Sequence, residues 1–173
     1  LAVLHGIKLF QEGIVDKIVV TRPAVSVDED LGFLPGTLNE KMAPWTRPIF
    51  DVFAEYYNKK EIDKMLEEGV IEISPLAYMR GRTFKNAYIV ADEMQNATVN
   101  QMKMLLTRLG ENSKMVVTGD LAQADRLNDN GLINFCSLLA ERVDSKHIDL
   151  VQFDSKDIER HEAVKEVLKI YGD

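Results

Sequence analysis

The sequence predicts an α/β protein in which a mostly parallel sheet is covered by helices on both faces, forming a three-layer sandwich. Two features predict this fold class. Residues 87–91 and 115–118 are short and almost continuously apolar, which is typical of strands buried on both faces of a parallel sheet. Such segments also alternate along the chain with longer amphipathic segments, and this order predicts βαβ units.

The elements of the first half of the chain have recognisable boundaries. The opening helix ends at Gly13 and the strand after it stops at Pro23, since glycine ends helices and proline cannot donate to a ladder. A glycine- and proline-rich composition predicts an insertion of loop and short helix. The predicted order is helix 1–11, strand 17–21, insertion 28–48, helices 49–57 and 61–67, and strand 70–73.

The second half alternates strands and helices more regularly. A helix over about 98–109 has a single apolar face and is followed by Gly110, a favourable terminator. The last helix is predicted to begin near Asp157, a suitable N-cap, and to run to Tyr171. Its predicted buried stripe consists of Ile158, Val164, Val167, Leu168 and Tyr171. The other predicted elements are strands 87–91, 115–118 and 148–153 and helix 132–142.

Length and composition narrow the class of protein. A chain of 173 residues with 46% hydrophobic residues is predicted to form one domain, over 1–173, that buries its own core. No apolar run reaches the length of a membrane span. The single cysteine, Cys136, cannot form an internal disulfide, so we expect a reducing, cytoplasmic setting. The histidines lack metal-ligand spacing, which argues against a zinc site.

The charged residues are distributed unevenly along the chain. The net charge of −7 argues against a broadly basic nucleic-acid-binding protein. Between residues 79 and 115, however, six basic residues occur with only three acidic ones. Either a local basic surface or ordinary solvated charges can account for this excess. The six are Arg80, Arg82, Lys85, Lys103, Arg108 and Lys114.

Polar residues that could take part in catalysis or bind a ligand follow two of the predicted strands. Asp92 and Glu93 come directly after strand 87–91, and because side chains alternate along a strand we expect them to point in different directions. One carboxylate can then hold Mg²⁺ while the other orients a water, as hydrolysis of a nucleoside triphosphate requires. An acidic pair that merely opens a loop is the alternative. The next strand is followed by Asp120 and Gln123.

These strand ends, together with other motifs, resemble the PhoH-like family. An Asp-Glu pair after one buried strand and a Gly-Asp-x-x-Gln element after the next are similar to the Walker B and following motifs of superfamily 1 helicases. The resemblance covers essentially the whole chain and implies a RecA-like P-loop ATPase linked to phosphate starvation and RNA metabolism. Its motifs lie at residues 21–25, 31–36, 75–83, 92–96, 101–110 and 157–161.

The chain departs from the family pattern in one respect. The Gly-x-x-x-x-Gly-Lys-Thr loop that binds phosphates is missing, and residues 1–3 resemble the helix that directly follows it. We therefore expect a domain truncated at its N-terminus, just after that loop. Without the amides and lysine of the loop, the phosphates of ATP lose their main binding groups, so this chain alone is expected not to hydrolyse ATP.

The resemblance implies ATP and Mg²⁺ as ligands and suggests roles for four residues. Asp92 is expected to hold Mg²⁺, directly or through water, and Glu93 to polarise the attacking water. Gln123 is expected to sense the γ-phosphate. Asp120 is expected to fix its loop at the nucleotide, and a carboxylate that only caps a turn is the alternative.

Three arginines are predicted to contact RNA or single-stranded nucleic acid. Arg22 follows a strand end, and Arg80 and Arg82 lie in a glycine-containing loop before strand 87–91. A subunit contact or a structural ion pair is an equal alternative for each. The only tryptophan, Trp45, is predicted to be a packed anchor, with base stacking as the alternative.

The resemblance also implies an assembly. A protein with one RecA-like domain needs an arginine from a neighbouring subunit to complete its site, which implies a homo-oligomeric ring, most simply a hexamer. Arg160 is the predicted residue, and a surface arginine paired with Glu159 or Glu162 is the alternative. The expected function is helicase-like ATP hydrolysis on RNA or single-stranded DNA. An ATP-regulated assembly protein that partners an RNA-processing enzyme is the alternative; a small-molecule kinase is disfavoured because no acceptor-binding lid is recognisable.

Overall fold

A four-stranded parallel sheet forms the centre of the larger of two structural units. A computed structural model describes residues 1–23, 38–124, 128–141, 145–154, 157 and 161–171. The chain divides into a unit over Leu1–Leu138 and a smaller unit over Leu139–Asp173. The prediction of one domain over 1–173 stays a prediction.

Strands and helices alternate in the larger unit in the predicted order. Its strands are β1 (Lys17–Arg22), β2 (Ile71–Pro75), β3 (Ala87–Ala91) and β4 (Lys114–Val117). Its helices are α1 (Ala2–Gln11), α2 (Leu38–Ala54), α3 (Lys59–Glu67), α4 (Val99–Leu106) and most of α5 (Gly131–Glu141), which continues into the smaller unit. In the part of the chain that the structure describes, no helix is long and apolar enough to cross a membrane.

The sheet has the strand order β2-β1-β3-β4, and helices cover both of its faces. All three ladders are parallel, and alternate residues of a strand face opposite sides. Ile18 and Val20 of β1 belong to a core with α1, α2 and α3, whereas Val19 belongs to a second core with α4 and α5. The predicted three-layer α/β arrangement is therefore confirmed, and the parallel strands bring their carboxyl ends to one edge.

Helix α2 is longer than the sequence predicted. Residues 38–48 of the insertion predicted over 28–48 form well over half of this 17-residue helix, which corrects the prediction of loop and short helix there. The part of the insertion over 28–37 lies outside the described residues. Two prolines of the insertion lie within the helix, where each removes a backbone hydrogen bond. Trp45, Ile49 and Phe53 recur every four residues and pack into one core, and their burial outweighs that loss.

The smaller unit departs from two predictions. The strand predicted over 148–153 is wrong, because this segment has no ladder partner among the described residues and its apolar side chains are exposed. A strand makes its backbone hydrogen bonds with a neighbour, so an apolar segment without one stays irregular. Helix α6 (Glu162–Tyr171) begins later than the predicted start near Asp157. Its predicted stripe is largely exposed, Tyr171 at 80%, and Ile158 lies outside the described residues.

A half-buried charge cluster fastens β2 to β1 and to the loop before β3. Glu72, which lies beside Val19 in the ladder, contacts Lys17 Nζ at 2.6 Å and both terminal nitrogens of Arg82, of which Nη2 lies at 2.9 Å. The Arg82 guanidinium also lies 4.5 Å from the centre of the Phe84 ring. Hydrogen bonding from Arg82, assisted by Lys17 and opposed by burial, lowers the pKa of Glu72 from 4.5 to about 2.

Replacing Glu72 with glutamine is expected to destabilise the protein at neutral pH by about 2 kcal/mol, because Lys17 and Arg82 lose their carboxylate partner. The pKa of Glu72 is lower in the folded state, so its stabilisation is complete above pH 4.5 and falls as the pH drops toward 2. The difference in unfolding free energy between wild type and Glu72→Gln, measured with urea, should therefore narrow below pH 4.5.

The matched control is Glu68→Gln. Glu68 forms an exposed pair with Lys64 at 3.6 Å, and such pairs contribute about 0.5 kcal/mol or less. The assigned role of Glu72 would be contradicted if the two variants lost equal amounts of unfolding free energy. It would also be contradicted if the loss in Glu72→Gln stayed constant down to about pH 3.

Candidate functional site

The carboxyl edge of the sheet brings together the two strand ends that the sequence singled out. β3 leads directly into Asp92, and β4 leads into Thr118. Thr118 N donates to Ala91 O at 2.8 Å, and Met94 N donates to Thr118 O at 3.0 Å, so the two segments stay paired beyond their strands. In open parallel sheets this edge is where ligands bind.

The side chain of Asp92 is oriented through one of its two carboxylate oxygens. Its backbone N–H donates to Thr21 O at 2.9 Å, and its Oδ1 accepts a hydrogen bond from the Thr118 hydroxyl at 2.6 Å. Within the described part of the chain, no hydrogen bond is formed to its Oδ2. A carboxylate that is oriented through one oxygen and open at the other is suited to binding a hard cation such as Mg²⁺.

Glu93 has a partner of its own because of its backbone conformation. It follows the end of β3 and adopts φ 55° and ψ 35°, the left-handed region, which costs a residue with a side chain about 1–3 kcal/mol. Its Oε2 accepts from Gln95 Nε2 at 2.6 Å. The two carboxylates are thus held separately, and a strained turn, not the alternation of a strand, is the reason.

The loop after β4 is closed by its own carboxylate. Asp120 Oδ1 accepts from Ala122 N at 2.9 Å, and Asp120 Oδ2 accepts from Gln123 Nε2 at 2.9 Å. These bonds cap the short helical turn Leu121–Gln123, as the alternative interpretation of Asp120 expected. Both residues are exposed at the carboxyl edge, and contact of either with a nucleotide stays a prediction.

Sequence reasoning missed three residues of the site. Thr118 binds Asp92, Gln95 binds Glu93, and Asn130 Nδ2 donates to Gln95 O at 2.7 Å. Gln95 and Asn130 are only 1% and 4% exposed, which is unusual for amide side chains. Gln95 could have been found from its place in the motif at 92–96. Asn130 carries no comparable signal in the sequence.

The structure separates the three predicted arginines. Arg82 forms an ion pair with Glu72, which is the structural alternative that the sequence left open for it. Arg22 is half-buried, with its guanidinium carbon 5.7 Å from the centre of the Trp45 ring. Trp45 packs against a core cluster, in agreement with its prediction as an anchor. Arg80 is exposed and forms no ion pair with the described residues.

Not all of the six basic residues between 79 and 115 are available for a basic surface, which the sequence left open against ordinary solvated charges. Besides Arg82, Arg108 is used internally: its guanidinium donates to Met104 O at 3.0 Å and to Arg82 O at 3.2 Å. These two cations therefore hold the fold together. The exposed ones are Arg80, Lys85, Lys103 and Lys114.

At this edge the described acidic, histidine and cysteine side chains do not form a complete set of metal ligands by themselves. No group of three or more histidine, cysteine or acidic side chains able to hold a metal occurs among the described residues. Mg²⁺ is commonly bound by one or two carboxylates together with water and substrate phosphates, and Asp92 fits that pattern. Thr21 Oγ1 and Asn96 Oδ1, which are buried and lack partners within the described chain, belong to segments at the same edge. Arg160 lies outside the described residues.

Comparison with known proteins assigns the chain to a family. A family model described as PhoH-like protein matches residues 1–172. The chain belongs to the PhoH-like family. It is 46% identical over 174 residues to the PhoH-like protein of Mycobacterium tuberculosis (strain H37Rv) and 42% identical over 172 residues to that of Bacillus subtilis. It is 44% identical over 161 residues to Protein PhoH of Escherichia coli K12.

The alignments cover most of this PhoH-like chain but only part of each relative. They include 99% of the chain for the mycobacterial and Bacillus proteins and 91% for the Escherichia protein. The corresponding shares of the relatives are 49%, 53% and 45%. The chain thus spans about half the length of the curated relatives it matches.

Proposed function

We propose that this PhoH-like chain belongs to a cytoplasmic ATPase that acts on RNA or single-stranded nucleic acid, in processes linked to phosphate starvation. The observation that carries the proposal is the pair of carboxylates after β3. Asp92 is oriented by Thr118 with one oxygen open, and Glu93 is oriented separately by Gln95. Membership of the PhoH-like family supports nucleotide binding as the setting.

Asp92 is the proposed residue for Mg²⁺. Magnesium bound to ATP neutralises charge that develops on the phosphates during hydrolysis. Asp92 would hold the ion through Oδ2, directly or through water, while the hydroxyl of Thr118 at 2.6 Å keeps the carboxylate from rotating. Gln123, exposed in the adjacent loop, would contact the γ-phosphate, and Asp120 would hold that loop in shape.

Glu93 is the proposed residue for the attacking water. Gln95 occupies its Oε2, which leaves Oε1 to accept a hydrogen bond from a water and orient it. The left-handed backbone fixes the direction of the side chain at its base, and the hydrogen bond fixes it at its end. A group held at both ends loses little freedom when the water binds, which favours the reaction geometry.

Two of the three arginines remain as proposed nucleic-acid contacts. Arg80 is exposed in the loop after β2, and Arg22 lies at the end of β1, so both belong to the carboxyl half of the sheet. Arg82 is left out because its guanidinium is bound to Glu72. Phosphate contacts of this kind supply affinity that is independent of base sequence.

A second function is an ATP-regulated assembly protein that partners an RNA-processing enzyme. The use of Arg82 and Arg108 inside the fold favours it, because it reduces the cationic surface available to phosphates. ATP hydrolysis that is stimulated by RNA would support the first function. Hydrolysis that is indifferent to RNA but altered by a bound protein would support the second.

In the full-length protein, Glu93→Gln should leave ATP binding intact and slow turnover by about 10²–10⁴-fold, because the water loses its orienting group. Asp92→Asn should instead raise the Mg²⁺ concentration needed for half-maximal activity. Steady-state hydrolysis over a range of Mg²⁺ concentrations, together with binding of a fluorescent ATP analogue, distinguishes the two effects.

Glu111→Gln is the matched control, since Glu111 is an exposed acid at the opposite end of β4. It should retain wild-type hydrolysis. Equal turnover by wild type and Glu93→Gln would remove the basis of the assignment.

Arg80→Ala should weaken RNA binding alike for all base sequences and reduce the slope of log K against log salt by about one. The loss of one phosphate contact releases one counterion fewer, which is the physical reason. Lys60→Ala, an exposed cation on α3, is the control and should leave the slope unchanged. Fluorescence anisotropy with labelled single-stranded RNA measures both, and an unchanged slope in Arg80→Ala would place the contact elsewhere.

A homo-oligomeric ring, most simply a hexamer, is the proposed assembly, with Arg160 of one subunit completing the site of the next. Arg160→Ala should then abolish hydrolysis while sparing ATP binding, because an arginine supplied in trans contributes about 10³–10⁵-fold to turnover. Mixing Arg160→Ala with Glu93→Gln subunits should recover activity, since some interfaces pair two intact residues. Hydrolysis by a strict monomer in ultracentrifugation would exclude the arrangement.

A further inference from the structure

The side chain of Gln95 connects the two strand-end segments of the site. It is 1% exposed, donates from Nε2 to Glu93 Oε2 at 2.6 Å, and accepts from Asp120 N through Oε1 at 3.2 Å. Gln95 lies in the short turn Met94–Asn96 after β3, whereas Asp120 opens the loop after β4. Among the described residues, no other side chain is hydrogen-bonded both to the Glu93 carboxylate and to the loop that carries Gln123.

These two hydrogen bonds need opposite groups at the end of one side chain. When ionised, the Glu93 carboxylate has no proton to donate and acts purely as an acceptor. The backbone N–H of Asp120 acts purely as a donor. The primary amide of glutamine meets both needs. Glutamate at this position would set a second carboxylate against Glu93, and methionine would fill the space without either hydrogen bond.

The surroundings leave the Gln95 amide little freedom. The backbone carbonyl of Gln95 accepts from Asn130 Nδ2 at 2.7 Å. The loop after β4 approaches so closely that a Cβ at Gly119 would lie 2.9 Å from Gln95 Oε1 and 3.1 Å from its backbone nitrogen. A buried amide that loses a partner is left unsatisfied, so a shift of this loop should carry the amide with it.

We propose that Gln95 is a positioning residue that sets the orientation of the Glu93 carboxylate according to the position of loop 119–123. The inference rests on the proposed ATPase function. When Gln123 contacts the γ-phosphate, the loop and the Asp120 amide take one position, and Gln95 transmits it to the carboxylate that orients the water. Gln95 itself touches neither nucleotide nor water.

The first test is Gln95→Met in the full-length protein. It should lower kcat for ATP hydrolysis about 10- to 100-fold, the usual effect of losing a group that orients a catalytic one. KM and the affinity for a non-hydrolysable ATP analogue should stay unchanged. Gln101→Met is the matched control: Gln101 Oε1 accepts from Thr98 N at 2.9 Å at the start of α4, and its loss should leave kcat unchanged.

Two further variants separate positioning from support of the fold. Gln95→Glu should lower kcat and leave KM unchanged, as Gln95→Met does, because an ionised carboxylate at this position has no N–H to donate to Glu93. A variant that only destabilised the fold would lose binding of the ATP analogue together with kcat. In a Glu93→Gln background, Gln95→Met should cause no additional loss, since it acts through Glu93. Gln95→Glu keeps the size of the side chain and serves if Gln95→Met does not fold.

A measurement without nucleotide tests the coupling directly. In the free protein, Glu93→Gln should change the NMR chemical shift of the Asp120 amide proton, because Gln95 connects the two groups. In a Gln95→Met background this response should disappear.

The outcomes distinguish the two proposals. If Glu93→Gln hydrolyses ATP like the wild type, the proposed function fails, and the positioning role fails with it even if the NMR response is seen. If Glu93→Gln is impaired, three results would overturn the positioning role alone: an unchanged kcat in Gln95→Met, a loss that adds to that of Glu93→Gln, or an Asp120 response that persists without Gln95.

Discussion

The hydrogen bonds of Thr118 are the interaction on which the rest of the site depends. Its N–H donates to Ala91, its carbonyl accepts from Met94, and its hydroxyl donates to Asp92. The first two bonds extend the pairing of β3 and β4 past their last residues, and the third fixes the carboxylate. The spacing of the two loops therefore follows from the pairing of two strands, which is rigid because β3 is buried throughout.

The site combines this rigid base with a strained and an exposed part. The left-handed backbone of Glu93 is unfavourable by about 1–3 kcal/mol and persists because the surrounding hydrogen bonds hold it. The turn Leu121–Gln123, by contrast, is exposed and is capped by Asp120. Gln95 lies between them with almost no exposure. The exposed turn therefore lies beside the carboxylates, which is the arrangement that the proposed coupling through Gln95 needs.

Charge counting along the chain could not assign the arginines. Arg82 meets Glu72 because the loop before β3 returns past β2, and that return also brings Arg82 O within reach of Arg108. Arg22 meets Trp45 because α2 packs on the sheet beside β1. Each of these cations is engaged by a partner from another element, and only the order of strands and helices in space brings the partners together.

The sequence by itself determined the α/β class, most of the elements of the larger unit, and the position of Asp92 and Glu93 at a strand end. These are local properties. The spacing of apolar residues shows which face of a segment is buried, and the position of the two carboxylates directly after an apolar run places them at the end of a strand. Only the tertiary structure decided that residues 148–153 lack a neighbouring strand and that Trp45, Ile49 and Phe53 hold a helix through two prolines. It alone decided that Gln95 reaches Asp120, 25 residues away. Hydrogen-bond partners and buried surfaces depend on which strands lie side by side, and no local pattern in the chain encodes that order.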